Sequence, residues 1–352
     1  MKNKGNIAIF VPHAGCPHQC SFCDQRKISA AQQIPTLEQV QEICRQAIAH
    51  PRRPKQLEIA FFGGSFTAIP EKEQNALLEA VQPFLAAEGV TGIRISTRPD
   101  CITPEILQRL QQFHVTAIEL GAQSMQDAVL QKNHRGHTAQ DVRNAAKWIT
   151  AADFSLGLQM MIGLDGSTPE QERKTLQELL ALHPDTLRIY PLVVLKGTEL
   201  AERVQNGSFV LYDWETVLEL CADALCACRQ QGVRVIRCGL HAEDTVQSEA
   251  VAGFYHPAFR ELVESRLFTG SQTVDAATSA GNHGRSTGCS RLEQSGCRTS
   301  CLQSGSLSGS WGFAANHRNS SHSSRNAANR KGRIRCFSNR WNCKDLSPFR
   351  IG

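Results

Sequence analysis

Six short apolar runs recur along the chain: Ile7–Val11, Leu57–Phe62, Ile93–Thr97, Ala117–Leu120, Leu156–Ile162 and Leu187–Val193. Each is a strand candidate, rich in apolar or β-branched residues, and several end at Gly or Pro. Helical patterns lie between them. Thr36 reads as an N-cap with Gln39 at the capping-box position, and Leu37, Val40, Ile43, Cys44 and Ala47 follow on one stripe. Thr103-Pro104 and Thr168-Pro169 place a capping residue before a first-turn proline, and Thr138 with Asp141 opens another helix. A further helix is expected from Asp213 to Gln231, before a last strand candidate at Val233–Cys238. Strands alternating with helices imply βα units and a parallel sheet. Six such units predict a curved sheet or incomplete barrel, in which sites gather at the C-terminal ends of the strands.

The connection from Pro12 to Pro35, between the first strand and the first helix, is too long to be a plain turn. It carries Cys16-Pro-His-Gln-Cys20-Ser-Phe-Cys23, a C-x3-C-x2-C array. Thiolates suit iron–sulfur clusters and zinc. Three cysteines on one loop can hold three irons of a [4Fe–4S] cubane and leave the fourth open. An open iron can chelate the amine and carboxylate of S-adenosylmethionine (SAM) and pass an electron to its sulfonium. Phe22 is placed to pack beside the adenine. The spacing also suits a structural zinc site of three Cys and one His, with His13 or His18 as the fourth ligand.

One βα unit later, Phe61-Phe62-Gly63-Gly64-Ser65-Phe66-Thr67 ends the second strand candidate. Two glycines let a backbone approach a ligand closely, and at this edge Gly63, Gly64 and Ser65 are candidates to contact SAM. Later strand ends add polar groups at the same mouth: Thr97, Glu119 and Gln123 are candidates for the ribose or carboxylate of SAM. Met160 and Met161 read as packing residues. Arg188 and Tyr190 alternate on the sixth strand candidate and share a face, with Lys196 just beyond. Together they could bind an anionic or planar substrate; alternatively, Arg188 pairs with a carboxylate such as Glu119 inside the barrel. Cys221 and Cys228 share one helix face while Cys226 points away, which reads as buried helix packing rather than a metal site.

Charge and cysteine content divide the chain. Residues 269–352 hold twelve Lys+Arg against three Asp+Glu, whereas the whole chain is +5, so the preceding body is −4. The basic excess therefore belongs to the tail, and the body gives no electrostatic hint of nucleic acid. The tail is rich in Ser, Gly, Asn and Arg and has no sustained period. It is expected to be disordered or read in a shifted frame. No apolar run is long enough to span a bilayer, and the N-terminus lacks a signal-peptide pattern, so a cytoplasmic protein is expected. The division expected is a core over 1–212, a helix and strand extension of it over 213–268, and the tail over 269–352.

The cysteine array, Gly63-Gly64 and the βα order resemble the radical SAM superfamily. Glu119-Leu-Gly-Ala-Gln-Ser124, Arg135-Gly-His-Thr138, Met160-Met161, Leu187-Arg-Ile-Tyr-Pro191 and Gly197-Thr-Glu-Leu200 occur in order and look like the radical SAM core of the Elongator catalytic subunit and its smaller bacterial relatives. The resemblance covers about residues 6–268. It implies an α/β fold, an incomplete parallel (β/α)6 barrel of the radical SAM type, with a [4Fe–4S] cluster and SAM as cofactors. It also implies an electron donor such as a flavodoxin or ferredoxin, and it admits RNA as a substrate. Three departures stand beside it. The cysteine spacing is shorter than Elongator's first gap, Asp165 replaces the proline common in the family's Gly-Leu-Pro-Gly turn, and no acetyltransferase pattern is present. The competing readings are a zinc-binding module without enzymatic activity and an inactive truncated product.

Overall fold

A computed structural model describes residues 4–12, 16, 19–24, 28, 33–240 and 244–267; the side chains of residues 244 and 245 are outside it. His13, His18 and the tail over 269–352 lie outside the described residues.

Seven strands form one parallel sheet: β1 (Lys4–Val11), β2 (Gln56–Gly63), β3 (Val90–Thr97), β4 (Val115–Gln123), β5 (Ser155–Ile162), β6 (Thr186–Pro191) and β8 (Arg234–Cys238), hydrogen-bonded in that order. The sheet curls into a half-barrel. Its helices are α1 (Leu37–Ala49), α2 (Glu71–Val81), α3 (Pro104–Gln112), α4 (Asp127–Lys132), α5 (Ala139–Ala151), α6 (Pro169–Leu180), α7 (Glu199–Gln205), α8 (Trp214–Gln230) and α9 (Asp244–Glu249). A last helical stretch covers residues 259–267.

The caps form as their residues predict. Thr36, Thr138 and Thr168 each accept from the N3 amide, and Gln39, Asp141 and Gln171 reach back to the N-cap amide. Such reciprocal bonds depend only on residues three apart, which is why they are legible in the chain. The expected run Leu187–Val193 divides. β6 ends at Pro191, and β7 (Val193–Leu195) leaves the sheet to pair antiparallel with β9 (Ala250–Gly253). Proline cannot extend a parallel ladder through its missing N–H. The strand candidate at Val233–Cys238 becomes β8, a seventh member beside β6 rather than a separate feature.

Alternation along each strand sets two faces. Ile7, Ile9, Ile59, Phe61, Ile93, Ile95, Ile118, Leu120, Leu158, Met160, Leu187 and Ile189 are buried in one continuous apolar core with residues of the surrounding helices. The opposite face carries Glu58, Arg94, Ser96, Glu119, Gln159 and Arg188, joined to one another by hydrogen bonds. The half-barrel therefore has a polar lumen inside an apolar shell. Cys221 and Cys228 on α8 are wholly buried against the sheet, and Cys238 at the end of β8 hydrogen-bonds Cys221. Burial pushes the Cys228 thiol up to about 12, which fits a packing role and not a reactive one. Among the described residues no helix is long and apolar enough to cross a membrane.

Candidate functional site

Five chain segments converge at the C-terminal edge of the sheet. From the loop after β1 comes Cys16, whose sulfur faces the Ser65 amide and lies within electrostatic reach of Cys20, Arg135 and Arg98. Loss of solvent contact at the sulfur, and secondly the Cys20 sulfur, raise the Cys16 thiol; the Ser65 amide and the two guanidiniums oppose this. Cys16 is the most exposed of the three cysteines, Cys20 is buried and Cys23 is half-buried. The Cys23 amide donates to the Cys20 carbonyl at 3.1 Å, closing a turn between them.

That loop is anchored from the side by Asn133, which is fully buried. Its carbonyl accepts from the Ser21 amide at 3.3 Å and its Oδ1 accepts from Ser21 Oγ at 3.1 Å. Its Nδ2 donates to the carbonyls of Val129 and Asp165, both at 2.8 Å. The Ser21 carbonyl in turn accepts from Leu200 N at 2.9 Å. Asp165, 2% exposed, is held by Lys132 Nζ at 2.8 Å and Arg203 Nη1 at 2.9 Å. These two cations account for an acid at a turn position where the resembling family commonly has proline. Phe22, 8% exposed, packs into the main core from this loop.

The glycine turn follows β2. Gly63 has φ +113°, and a Cβ there would lie 3.2 Å from the Val11 carbonyl carbon and oxygen of β1. Left-handed backbone and this close approach both require glycine. Gly64 N donates to Val11 O at 3.0 Å, so the turn is tied to the strand that feeds the cysteine loop. Ser65 Oγ and Thr67 Oγ1 lie 2.9 and 2.6 Å from Thr97 Oγ1, and the Arg98 amide donates to Ser65 Oγ at 3.2 Å. Arg98 forks onto Asp100 at 3.0 and 2.8 Å. Cys101 completes this corner against Ser65 and Arg98, its thiol raised by burial and by Asp100.

β4 ends in a bulge, and Gln123 adopts φ +64°. A non-glycine residue in this region is uncommon and clusters at functional sites. The turn after α4 contributes Arg135 and His137. Arg135 donates from Nη1 to Cys20 Sγ at 3.2 Å and from Nη2 to Gly121 O at 2.6 Å. His137 Nε2 lies 3.1 Å from Ala122 O, so that nitrogen carries the proton. Burial and then Arg135 pull the His137 imidazole down to about 4, so it is neutral at pH 7. Gln123 Oε1, Arg135 Nε and His137 Nδ1 are all buried here with no protein partner. Three such atoms beside one thiol loop are what a polar ligand would satisfy.

Below the mouth, Glu119 is fully buried in the lumen. It accepts from Arg188 Nε at 3.0 and 2.9 Å, Arg94 Nη1 at 3.4 Å, and Ser96 Oγ and Gln159 Nε2 at 3.2 Å each. Gly157 stands opposite on β5, where a Cβ would fall 2.6 Å from Glu119 Cγ. Arg188 also lies 5.0 Å from the Phe62 ring centroid, and its Nη1 is 3.5 Å from Tyr190 OH. Arg188 thus pairs with Glu119, and half-buried Tyr190 stands beside it. Lys196 is exposed on the turn after β7, in the separate two-stranded ribbon.

At the end of β5, Gly163 N donates to the buried Glu172 carboxylate at 2.8 Å. Burial raises Glu172 to about 7 from an ordinary value near 4.5. The protonated form is thus favoured in the folded chain. This stabilisation is fully present below pH 4.5 and is lost as pH rises through 7. Between pH 5 and pH 8 the wild type is expected to lose about 2.5 kcal/mol relative to Glu172→Gln. Urea unfolding of both proteins at the two pH values measures this; parallel pH dependences would remove the buried acid from the account.

The three thiols are not the only test of what they hold. Among the described residues no three His, Cys, Asp or Glu side chains are gathered tightly enough for a single metal ion. A cubane spreads its cysteine sulfurs farther than one tetrahedral ion does. The guanidiniums beside Cys16 and Cys20 offset the charge of a multi-thiolate cluster. The donor set and the orphaned polar atoms therefore fit a cluster with an adjacent polar cosubstrate.

A family model described as the Radical SAM superfamily matches residues 10–179, and its C-terminal domain model matches residues 184–269. An uncharacterized protein of Methanocaldococcus jannaschii is 31% identical over 225 residues, covering 60% of this chain and 68% of its own length. The chain belongs to the radical SAM superfamily. It is a radical SAM enzyme, and membership carries a [4Fe–4S] cluster and SAM as cofactors. A tRNA uridine(34) acetyltransferase of Methanocaldococcus infernus is 25% identical over 258 residues, covering 61% of this chain. The chain spans about half of that relative, 48% of its length. The archaeal Methanocaldococcus infernus Elp3 with its N-terminus deleted has the same fold, with a TM-score of 0.63 at 21% identity, over 77% of this chain and 64% of that one.

Four residues of this candidate site escaped the candidate set drawn from the sequence: Cys101, Arg98, Arg135 and His137. Arg135 and His137 lay within a motif quoted for its resemblance alone. Nothing in their local pattern distinguishes a buried donor from a solvated one; their positions beside Cys20 and Ala122 arise from contacts 115 and 15 residues apart.

Proposed function

We propose that Cys16, Cys20 and Cys23 hold the [4Fe–4S] cluster, and that the Gly63-Gly64-Ser65 turn with Thr97, Gln123 and Phe22 forms the SAM pocket. The observation that carries this reading is the junction of the two segments: Gly64 N donates to Val11 O at 3.0 Å on the strand that feeds the cysteine loop, and the Ser65 amide faces Cys16. When bound, the cluster would supply one electron to the SAM sulfonium, so that a C–S bond breaks to give methionine and a 5′-deoxyadenosyl radical able to take a hydrogen atom from the substrate. The protein's part is positioning. Gly63 fits the turn against Val11 of β1, Gly64 admits a ligand against the backbone, Gln123 Oε1 and His137 Nδ1 are free to accept hydrogen bonds, and buried Phe22 and Phe66 anchor the two loops in the core.

For the substrate we infer a nucleoside of RNA. The relative named as a tRNA uridine(34) acetyltransferase supports this class. Tyr190 and Phe62 offer partly exposed rings in the lumen, and an aromatic face can stack a base. A flavodoxin or ferredoxin is the proposed electron donor. Anaerobic reconstitution tests the core of the reading. A brown protein with about four iron and four sulfide per chain is expected, forming 5′-deoxyadenosine when SAM and dithionite are added, and faster with tRNA. A colourless protein holding one zinc would overturn it.

Gly64→Val is expected to weaken SAM binding roughly tenfold or more, about 1.4 kcal/mol, with iron content unchanged. The branched side chain would stand where the backbone must meet the ligand. Equal affinities by calorimetric titration would remove Gly64 from the pocket.

A further inference from the structure

We propose that Arg135 sets the reduction potential of the cluster by donating a charged hydrogen bond to the sulfur of Cys20. The inference rests on the reading above that Cys20 is a cluster ligand.

The backbone of Arg135 is pinned in its turn, and two hydrogen bonds hold its guanidinium. Its own amide donates to Leu130 O at 3.0 Å, ending the α4 turn. The next residue, Gly136, takes φ +72°, and His137 is tied to Ala122 O one position past Gly121. Nη2 bonds Gly121 O at 2.6 Å, which leaves Nη1 aimed at Cys20 Sγ at 3.2 Å. Arg135 is 8% exposed, so solvent screens this contact little.

Its charge is directed at the sulfur and not at an acid. No ion pair joins Arg135 to a carboxylate among the described residues, and its Nε has no partner. The neighbouring Arg98 differs. It is also near Cys20, but its fork is closed on both oxygens of Asp100. Asp100 therefore neutralises Arg98 locally, while Arg135 remains a net positive charge on the cluster side.

Reduction adds one negative charge to the cluster. A buried cation and a hydrogen bond at a ligand sulfur stabilise the reduced form more than the oxidised one. Removing them must lower the potential. Arg135 acts on the potential through Cys20, so it is a positioning residue for electron entry, while its unpartnered Nε stays available to a polar ligand. A titration without SAM reads only the first role.

The test is an EPR-monitored redox titration of the reconstituted full-length protein without SAM, with dithionite as reductant. Arg135→Met is expected to keep iron and sulfide content and to lower the reduction equilibrium constant tenfold or more, about 59 mV for one electron. Arg135→Lys keeps the charge but cannot bridge Gly121 O and Cys20 together, so a smaller fall in the same direction is expected. If the Met variant does not hold a cluster, the Lys variant decides: a midpoint equal to the wild type overturns the proposal. An unchanged midpoint in a fully loaded Met variant overturns it as well. Cys20→Ala separates the two readings. A full cluster in that variant defeats the assignment of Cys20 as ligand, whereas its loss beside an unchanged Met midpoint defeats only the role given to Arg135.

Discussion

Replacing Cys16, Cys20 or Cys23 singly by Ala is expected to abolish cluster retention and SAM cleavage, while Cys221→Ala and Cys228→Ala leave both intact. The loop cysteines sit at the strand ends beside Arg98, Arg135 and the Ser65 amide, whose positive charge and N–H oppose the rise that burial and Cys20 impose on the Cys16 thiol. Cys221 and Cys228 are wholly buried against the sheet, their thiols pushed up by desolvation. Truncating them removes a sulfur from the core and should cost about 1–2 kcal/mol of stability, without touching iron. Iron and sulfide assays after anaerobic reconstitution, with 5′-deoxyadenosine measured by chromatography, check both halves. Normal cluster content in any of the three loop variants would overturn the assignment of that cysteine. Loss of iron from a folded Cys221→Ala protein would move the metal site to α8.

Glu119→Ala is expected to destabilise the folded chain by about 3–5 kcal/mol. The carboxylate neutralises two guanidiniums, of Arg94 and Arg188, that are 3% and 8% exposed at their side chains. Glu58 partly supports Arg94 from β2, at 2.9 Å, but Arg188 has Glu119 as its ion-pair partner. Removing Glu119 leaves Arg188 buried with only Tyr190 and the Phe62 ring beside it. Such an uncompensated charge costs far more than the pair contributed. Glu119→Gln keeps an acceptor for Arg188 and Ser96 and should lose less. Urea unfolding of the apoprotein measures both variants without interference from cofactors. A loss under 1 kcal/mol for the Ala variant would show that the lumen admits enough water to solvate Arg188. Removing both charges gives a further check: Arg188→Met in the Glu119→Leu background should recover much of the stability, because apolar replacement of a whole buried pair is tolerated.

Much of the scaffold was determined by the sequence alone. The βα order, the helix N-caps at Thr36, Thr138 and Thr168, the cysteine spacing and the glycine turn were all legible. Each rests on interactions between residues close in the chain, or on a periodicity that any local window contains. The parallel sheet followed from alternation, since parallel neighbours need a crossover. The tertiary structure alone decided the rest. It broke the run Leu187–Val193 at Pro191, placed β8 as a seventh strand beside β6, and brought Cys238 to Cys221. It paired Arg188 with Glu119 across 69 residues and Arg135 with Cys20 across 115. It also surrounded Asp165 with Lys132 and Arg203 and put Gln123 in a left-handed turn. Partner choice of this kind depends on strand register and on the depth of each side chain in the half-barrel. A single-residue slip would turn Glu119 or Arg188 to the opposite face, and no local pattern records which register the packed sheet selects.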